Sequence, residues 1–478
     1  MRTAPLKIAL FALFLALPVA TLLLFGTVES FGRDQPDFPE PKQMLRAKGR
    51  TQFGDAILER SAAMKLAVRL QNWIGYRLIG YVETTTVVSG KGEWLFYRPE
   101  FQDGACIEFD KVAGYFRQLQ VLIDMARASG LDMRVALSPN KSTIYPEQLN
   151  PYMRGYWRCQ ARNMVGLRRL YESELPDLID HAQPLLAERI RHPDIPLYFT
   201  ADTHWTPYGG AIAVHQLMAV TYPGMEIPPP QLSGATMTRK MDLAAALQWP
   251  VDEQAGEVAP LPQAILDELN RRSADVRTLI SHDSFYAKIE NQLREAFPNA
   301  TIRRGASHGL MSEIASADRL IVNMVERQFV RSIREDTLSW EGLIASAIMA
   351  RNQKLATGCS LEAARRPAGA PVQTGEVAGE VLDIPALEPQ HLPCLRLSLA
   401  AGEPAILEVA VPNARTGTYE PGRVLRYQIL PGNQTIGFVL PDYVAGSSIR
   451  LEMGETVSLS AVEIGAIERP RLASALQP

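Results

Sequence analysis

The hydrophobic period of this chain changes once, near residue 380, and that change restricts its architecture more than any motif does. From about residue 53 to 358, short β-branched or apolar runs alternate with stretches spaced for amphipathic helices. This is the pattern of an α/β domain built on a mainly parallel sheet. Strand candidates are residues 134–138 (RVALS), 195–199 (IPLYF), 277–281 (RTLIS), 301–303 (TIR) and 319–323 (RLIVN). Helix candidates are residues 110–129, 175–191, 208–220, 285–297 and 340–352. Residues 359–379, rich in Ala, Pro, Gly and charge, read as a linker. Residues 380–470 then alternate at period two in runs such as LRLSLA, ILEVAV and TIGFVL, broken by Pro-Gly, Asn and Gly turns. Such a segment is expected to fold as a small antiparallel β-sandwich.

The N-terminus carries a second constraint. Arg2 and Lys7 precede an uncharged apolar run at residues 8–25, whose 18 residues suffice for a membrane-spanning helix and exceed the usual core of a signal peptide. The basic flank places the N-terminus in the cytoplasm and the rest of the chain outside. No A-x-A site follows, so residues 1–30 are expected to stay as a signal anchor rather than be removed. Residues 31–52, including RDQPDFPEP at 33–41, read as an extended tether. An export segment makes disulfides the expected fate of Cys106, Cys159, Cys359 and Cys394. Three pairings are open, with four buried thiols as the alternative. Cys106 with Cys159 and Cys359 with Cys394 are preferred, because each pair closes a modest loop inside one domain. No cysteine spacing suggests a metal site. With 49 Lys and Arg against 52 Asp and Glu, the net charge of -3 leaves no global basic surface for nucleic acid.

Three segments carry residues suited to chemistry. In RTLISHDSFY, residues 277–286, an apolar strand ends in His282, Asp283 and Ser284 where a helix begins. A serine there sits at the carboxyl edge of a parallel sheet, where ligands bind, although Asp-Ser before a helix is also ordinary capping. In YFTADTHWTPYGG, residues 198–210, Asp202 and His204 stand two apart and project to one side of an extended turn. A carboxylate on one imidazole nitrogen fixes the tautomer and leaves the other nitrogen to accept a serine proton. Trp205 would shape the wall beside them. In VALSPNKSTIYP, residues 135–146, Asn140, Lys141 and Tyr145 follow a strand and are candidate donors to a substrate or an oxyanion.

Together these segments resemble the alginate O-acetyltransferase family, of AlgJ and AlgX type, within the SGNH hydrolase superfamily. The resemblance covers about residues 60–350 and rests on GKGEWLFYRPE (90–100), SPNKSTIYPE (138–147), ADTHW (201–205), HDSF (282–285) and IVNMVER (321–327) in one order. It implies a flavodoxin-like three-layer α/β/α core in which the Asp-x-His element precedes the serine. By the same resemblance Ser284 is acylated, His204 acts as general base and then acid, and Asp202 orients His204. Asn323, Glu326 and Arg327 fall at or after the last core strand, in supporting or substrate-binding positions. The implied enzyme is a periplasmic acyltransferase that holds no bound cofactor. Its acetyl group comes ultimately from acetyl-coenzyme A through a membrane-bound O-acyltransferase partner at the inner membrane. The acceptor is a hydroxyl of an exopolysaccharide such as alginate.

One departure stands out: where the family usually has Gly-Asp-Ser, this chain has His282 before Asp283 and Ser284. The bulkier residue alters the oxyanion side of the site. Members with a C-terminal β-domain resemble carbohydrate-binding modules there, and Tyr419, Tyr427, Phe438 and Tyr443 are the aromatic candidates for stacking on sugars, with core packing as the other explanation. Two alternatives accompany the transferase: a carbohydrate acetylesterase using the same triad, and a non-catalytic glycan-binding scaffold of a secretion complex.

Overall fold

The computed structural model describes residues 38–101, 109–247, 249, 251–305, 310–329, 339–360, 372–374, 377–454 and 456–470, with isolated positions inside 16–20. The expected anchor at residues 1–30 therefore lies almost wholly outside the described residues. Among those described, no helix is long and apolar enough to cross a membrane. The expected tether ends in helix α1 (Ala47–Arg60), followed by α2 (Ala62–Ile74) and a small antiparallel pair, β1 (Val87–Ser89) and β2 (Leu95–Tyr97).

The chain then alternates as its periodicity requires. In order come α3 (Phe109–Ala128), β3 (Asp132–Ser138), the one-turn α4 (Lys141–Ile144), α5 (Arg154–Glu174), β4 (Leu178–Asp180), α6 (Ala182–Arg191) and α7 (Pro207–Thr221). An antiparallel hairpin of β5 (Leu232–Lys240) and β6 (Asp252–Val258) follows, with the short α8 (Asp242–Ala246) between its arms. Then come α9 (Gln263–Ser273), β7 (Thr278–His282), α10 (Ser284–Ala287), α11 (Glu290–Ala296), β8 (Thr301–Arg304), α12 (Leu310–Ser316), β9 (Arg319–Val325) and α13 (Ser339–Ala356).

Five of these strands form one sheet in the order β4-β3-β9-β7-β8, with every pairing parallel. Alternate side chains of a strand point to opposite faces, and the core divides accordingly. Met133, Val135, Leu137, Leu279, Leu320 and Val322 pack on one face with residues of α3, α5, α12 and α13. Ala136, Ile280, Ile321 and Val325 pack on the other with residues of α6, α7, α9 and α11. The result is three layers, helices on both faces of a parallel sheet. Parallel pairing puts all the carboxyl ends at one edge. Ser138 is level with Val325 there, so the segments running on to Asn140, Ser284 and Arg327 converge at that edge.

Several boundaries differ from the sequence expectation. Residues 195–199 make no strand; only Tyr198 forms a bridge, to Trp205. Pro196 interrupts the segment, and a proline cannot donate to a ladder. The helix expected over 175–191 is β4 followed by α6, and that expected over 285–297 is split into α10 and α11. Helices α5 and α9 and the β5–β6 hairpin were not legible. The hairpin strands are mostly exposed and polar, without an apolar alternation to mark them.

The C-terminal part is an antiparallel sandwich. Strands β10 (Val372–Thr374), β11 (Val377–Asp383), β12 (His391–Ala401), β13 (Ala405–Ala410), β14 (Val424–Ile429), β15 (Gly432–Val439), β16 (Ser448–Met453) and β17 (Val457–Glu468) form two sheets, ordered β10-β11-β16-β13-β14 and β15-β12-β17. Its first strands begin inside the segment read as a linker. Cys359, just past α13, is disulfide-bonded to Cys394 on β12. Cys106 lies outside the described residues, and so does any account of its pairing with Cys159.

The sandwich does not hang free. Its inward Leu395, Leu397, Leu407, Val409, Phe438 and Leu451 belong to the same apolar cluster as Phe116 of α3 and Leu320 and Val322 of β9. Asn352 on α13 donates to the Val439 carbonyl (2.9 Å) and accepts from its N–H (2.6 Å). Gly422, at φ +84°, approaches Gly114 of α3 so closely that any side chain would collide with backbone.

Candidate active site

Thr206 caps α7 by accepting from the Gly209 N–H (3.2 Å), with Pro207 at the first helical position. This fixes the turn just before it. In that turn Asp202 Oδ1 accepts from both the backbone N–H of His204 (2.9 Å) and its ring Nδ1 (2.7 Å). Both side chains are buried, at 1 % and 7 % exposure. Burial opposes ionisation of Asp202, but the bond to His204, its charge and that of Arg239 outweigh it and hold the carboxyl well below the usual range.

The Asp202 bond fixes the His204 tautomer with a proton on Nδ1, so Nε2 is the basic nitrogen. That nitrogen is buried and has no hydrogen-bond partner among the described residues. The His204 ring lies 5.0 Å from the Phe285 ring, next in sequence to Ser284, and Trp205 meets Phe285 edge-on at 5.1 Å. The segments carrying Ser284 and His204 therefore stand side by side. The hydrogen bond between Ser284 and His204 is not made, and such bonds often tighten only with substrate present.

The capping role near Ser284 belongs to its neighbour. Asp283 Oδ1 accepts from Phe285 N–H (2.8 Å), and Oδ2 accepts from Val325 N–H (2.5 Å), tying the serine turn to the end of β9. Burial raises the Asp283 carboxyl despite these bonds. Since α10 has only four residues, its dipole adds little at Ser284. His282 is buried; its Nδ1 lies 2.7 Å from the Asp283 carbonyl and its Nε2 lies 3.7 Å from Glu290.

The remaining candidates separate into rim and frame. The Arg327 guanidinium lies over Tyr97 (4.8 Å) and Phe285 (5.4 Å) and donates to Asn140 Oδ1 (3.2 Å). Glu326 is buried, accepting from Asn140 N–H (2.9 Å) and Thr143 Oγ1 (2.5 Å). Burial pushes its carboxyl up to about 7. Asn323 donates to Ser138 Oγ (2.8 Å) inside the sheet. Tyr145 accepts from Leu197 N–H (3.0 Å). Lys141, expected as a substrate donor, is fully buried and spends its ammonium on the carbonyls of Phe199 (3.2 Å), Thr200 (2.9 Å) and Asp202 (2.7 Å). It braces the turn that carries Asp202 and His204, and burial lowers its pKa to about 8.

The aromatic candidates of the β-domain also need correction. Phe438 is fully buried in the core and presents no face to a sugar. Tyr427 accepts from Gln353 of α13 (2.7 Å), and Tyr443 donates to Asp124 of α3 (3.0 Å), so both serve the contact with the α/β layers. Tyr419 is exposed, with its hydroxyl on the Ser448 carbonyl (2.6 Å).

One residue in contact with the candidate site escaped the sequence altogether. Asp242 brings Oδ2 to 3.5 Å from His204 Nδ1. Asp202, His204 and Asp242 are the one group among the described residues spaced closely enough to hold a metal ion, within 4.8 Å. His204 Nδ1 is already committed to Asp202 there.

Comparison with known proteins agrees with the resemblance. Residues 87–274 match the family described as an SGNH hydrolase-like domain, acetyltransferase AlgX. That stretch contains Asp202, His204 and Asp242 and stops short of Ser284. The alginate biosynthesis protein AlgX of Pseudomonas syringae pv. tomato is 31% identical over 132 residues, 26% of this chain and 25% of that protein. The probable alginate O-acetylase AlgJ of the same organism is 28% identical over 204 residues, 40% of this chain and 46% of that protein. The chain thus matches between a quarter and a half of the length of these relatives. Among solved structures, the O-acetyltransferase domain of Pseudomonas putida AlgJ aligns at 17% identity and TM-score 0.36, over 55% of this chain and 99% of that one. Pseudomonas aeruginosa AlgX aligns at 14% and 0.39, over 80% and 95%. Residues 87–274 of this chain are thus similar to the SGNH hydrolase-like domain of the AlgX acetyltransferase family.

Proposed function

We propose that the protein is an exported polysaccharide O-acetyltransferase acting through an acetyl-serine. The observation that carries this reading is the Asp202–His204 bond (2.7 Å), which leaves a buried Nε2, without a partner among the described residues, beside the segment bearing Ser284. In the proposed reaction Nε2 takes the Ser284 hydroxyl proton as Oγ attacks the carbonyl carbon of an acetyl donor. The tetrahedral intermediate collapses, and imidazolium returns the proton to the leaving group. A sugar hydroxyl then gives its proton to Nε2 and attacks the acetyl-serine; as the serine ester bond breaks, the imidazolium returns that proton to Ser284 Oγ, leaving an O-acetyl sugar and the free hydroxyl. Asn140 and Arg327 stand on the Ser284 side as candidate contacts for the acetyl oxygen or the sugar.

The AlgX and AlgJ relatives support an exopolysaccharide such as alginate as acceptor and the periplasm as the place of action. The apolar run at residues 8–25 supports anchoring at the inner membrane, where a membrane-bound O-acyltransferase would deliver acetyl derived from acetyl-coenzyme A. The test uses the full chain with an aryl acetate donor and oligosaccharide acceptors. Wild type should yield acetylated oligosaccharide, and Ser284→Ala should lose at least about 10³-fold of the rate. Free acetate alone, with every acceptor tried, would replace transfer by hydrolysis. Full activity of Ser284→Ala would remove the serine mechanism.

A further inference from the structure

Asp242 opens α8, yet the cap position of that helix is Met241 and no side chain caps it. The acceptors of Asp242 are directed instead at the turn that carries the base. Oδ1 accepts from Thr203 N–H (2.8 Å), Oδ2 stands 3.5 Å from His204 Nδ1, and the Asp242 backbone N–H donates to Asp202 Oδ2 (3.2 Å). One residue thereby touches three consecutive members of the turn. Its hairpin neighbours extend the grip. Glu253 on β6 accepts from Thr200 N–H (2.9 Å), Thr200 Oγ1 (2.6 Å) and Ala201 N–H (2.6 Å). Arg239 on β5 lies over Phe199 (5.6 Å), with Nε 4.0 Å from Asp202 Oδ2.

We propose that Asp242 is a positioning residue of the active site, a second carboxylate that shares His204 Nδ1 with Asp202 and stabilises the imidazolium formed when Nε2 takes a proton. This rests on the serine acyl-transfer reading above. The imidazolium is flanked on its Nδ1 side by two carboxylates, of which Asp202 makes the short bond. Removing one negative charge from that side lowers the proton affinity of the ring. Among the described residues, the charged groups around His204 are Asp202 on its own turn, Asp242 and Arg239 from the hairpin, Lys141 from α4, Asp283 with Lys288 from the segment after β7, and Arg327 after β9. Burial, then the charge of Asp202, raises the Asp242 carboxyl. Asp242 therefore loses its charge at a higher pH than Asp202 does.

The experiment measures aryl-acetate turnover by the full chain as a function of pH, with Ser284→Ala as control. Asp242→Asn keeps an acceptor for Thr203 and the backbone donor to Asp202 but removes the charge. It should lower kcat about tenfold at little change in KM, and shift the acid limb of kcat/KM to lower pH by about one unit. Asp202→Asn with Asp242→Asn should fall at least about tenfold below Asp202→Asn alone, because Asp242 no longer substitutes for the lost partner. An unmoved acid limb overturns the proposal, whether kcat is unchanged or falls together with the thermal midpoint. So does activity that is lost to a chelator and restored by zinc, which would make the three residues metal ligands. If Ser284→Ala retains wild-type turnover, the acyl-serine reading fails first; if it is inactive while Asp242→Asn matches wild type, only the present inference fails.

Discussion

Glu326 is the residue whose burial has the clearest thermodynamic cost. Its carboxyl is pushed up to about 7 by burial, against the bonds from Thr143 and Asn140 and with the charges of Asp180 and Glu100 adding to the rise. Between the usual 4.5 and about 7 the unfolded chain has released this proton while the folded chain keeps it, so stability falls as pH rises through that window. Above it both states are ionised and the loss is constant, up to about 3 kcal/mol. Glu326→Gln keeps an acceptor for both donors. Its stability relative to wild type, from denaturant unfolding, should improve steadily from about pH 5 to about pH 8; a difference that does not vary with pH would mean that the carboxyl titrates normally. The same scale explains what the sequence could reveal. Asp202 and His204 were legible because two chemical residues at period two after an apolar run have few packing explanations. Asp242 was not, because an acid at the start of a helical stretch is commonplace. Lys141 was misjudged because a lysine in a loop reads as solvated, and only the fold reveals three carbonyls converging on it.

Among elements, α7 depends on the absence of a side chain at Gly209. A Cβ there would run into the Leu197 carbonyl and sit 3.2 Å from the Trp205 side chain. Since backbone cannot yield as a flexible side chain can, Gly209→Ala should destabilise the protein by about 2–4 kcal/mol. It should also lower turnover more than it weakens acceptor binding, because the helix start and the His204 turn share the Thr206 cap. Unfolding curves and steady-state kinetics check both parts, and a neutral substitution would show that α7 can shift away from residue 197. Long buried elements such as β9, buried along its whole length, were readable from their pattern. The three-residue β4 was absorbed into a helical stretch, and the β5–β6 hairpin had no apolar face to announce it. Their positions depend on partners far away in sequence, which a local pattern does not record.

At the scale of the molecule, the change of period near residue 380 marks a change of architecture without marking a break in the core. Side chains of α3, the parallel sheet and both sandwich sheets form one apolar cluster. The interface adds Asn352 on Val439 and Arg117, which donates to the Pro421 carbonyl (3.0 Å). Calorimetry of the full chain should therefore give one unfolding transition rather than two, and Asn352→Ala should lower it as a unit. Two transitions, with only one moved by the substitution, would mean that the layers unfold independently.

The close seat of Gly422 on Gly114 bears on how variation in this chain will be interpreted. In a saturation mutagenesis library, substitutions on the sandwich turn and on α3 should behave as one epistatic block. Defects in the proposed acetyl transfer will then map to residues of the sandwich that never approach a sugar. Activity loss in that half of the molecule identifies a glycan contact only where the abundance of folded protein is unchanged.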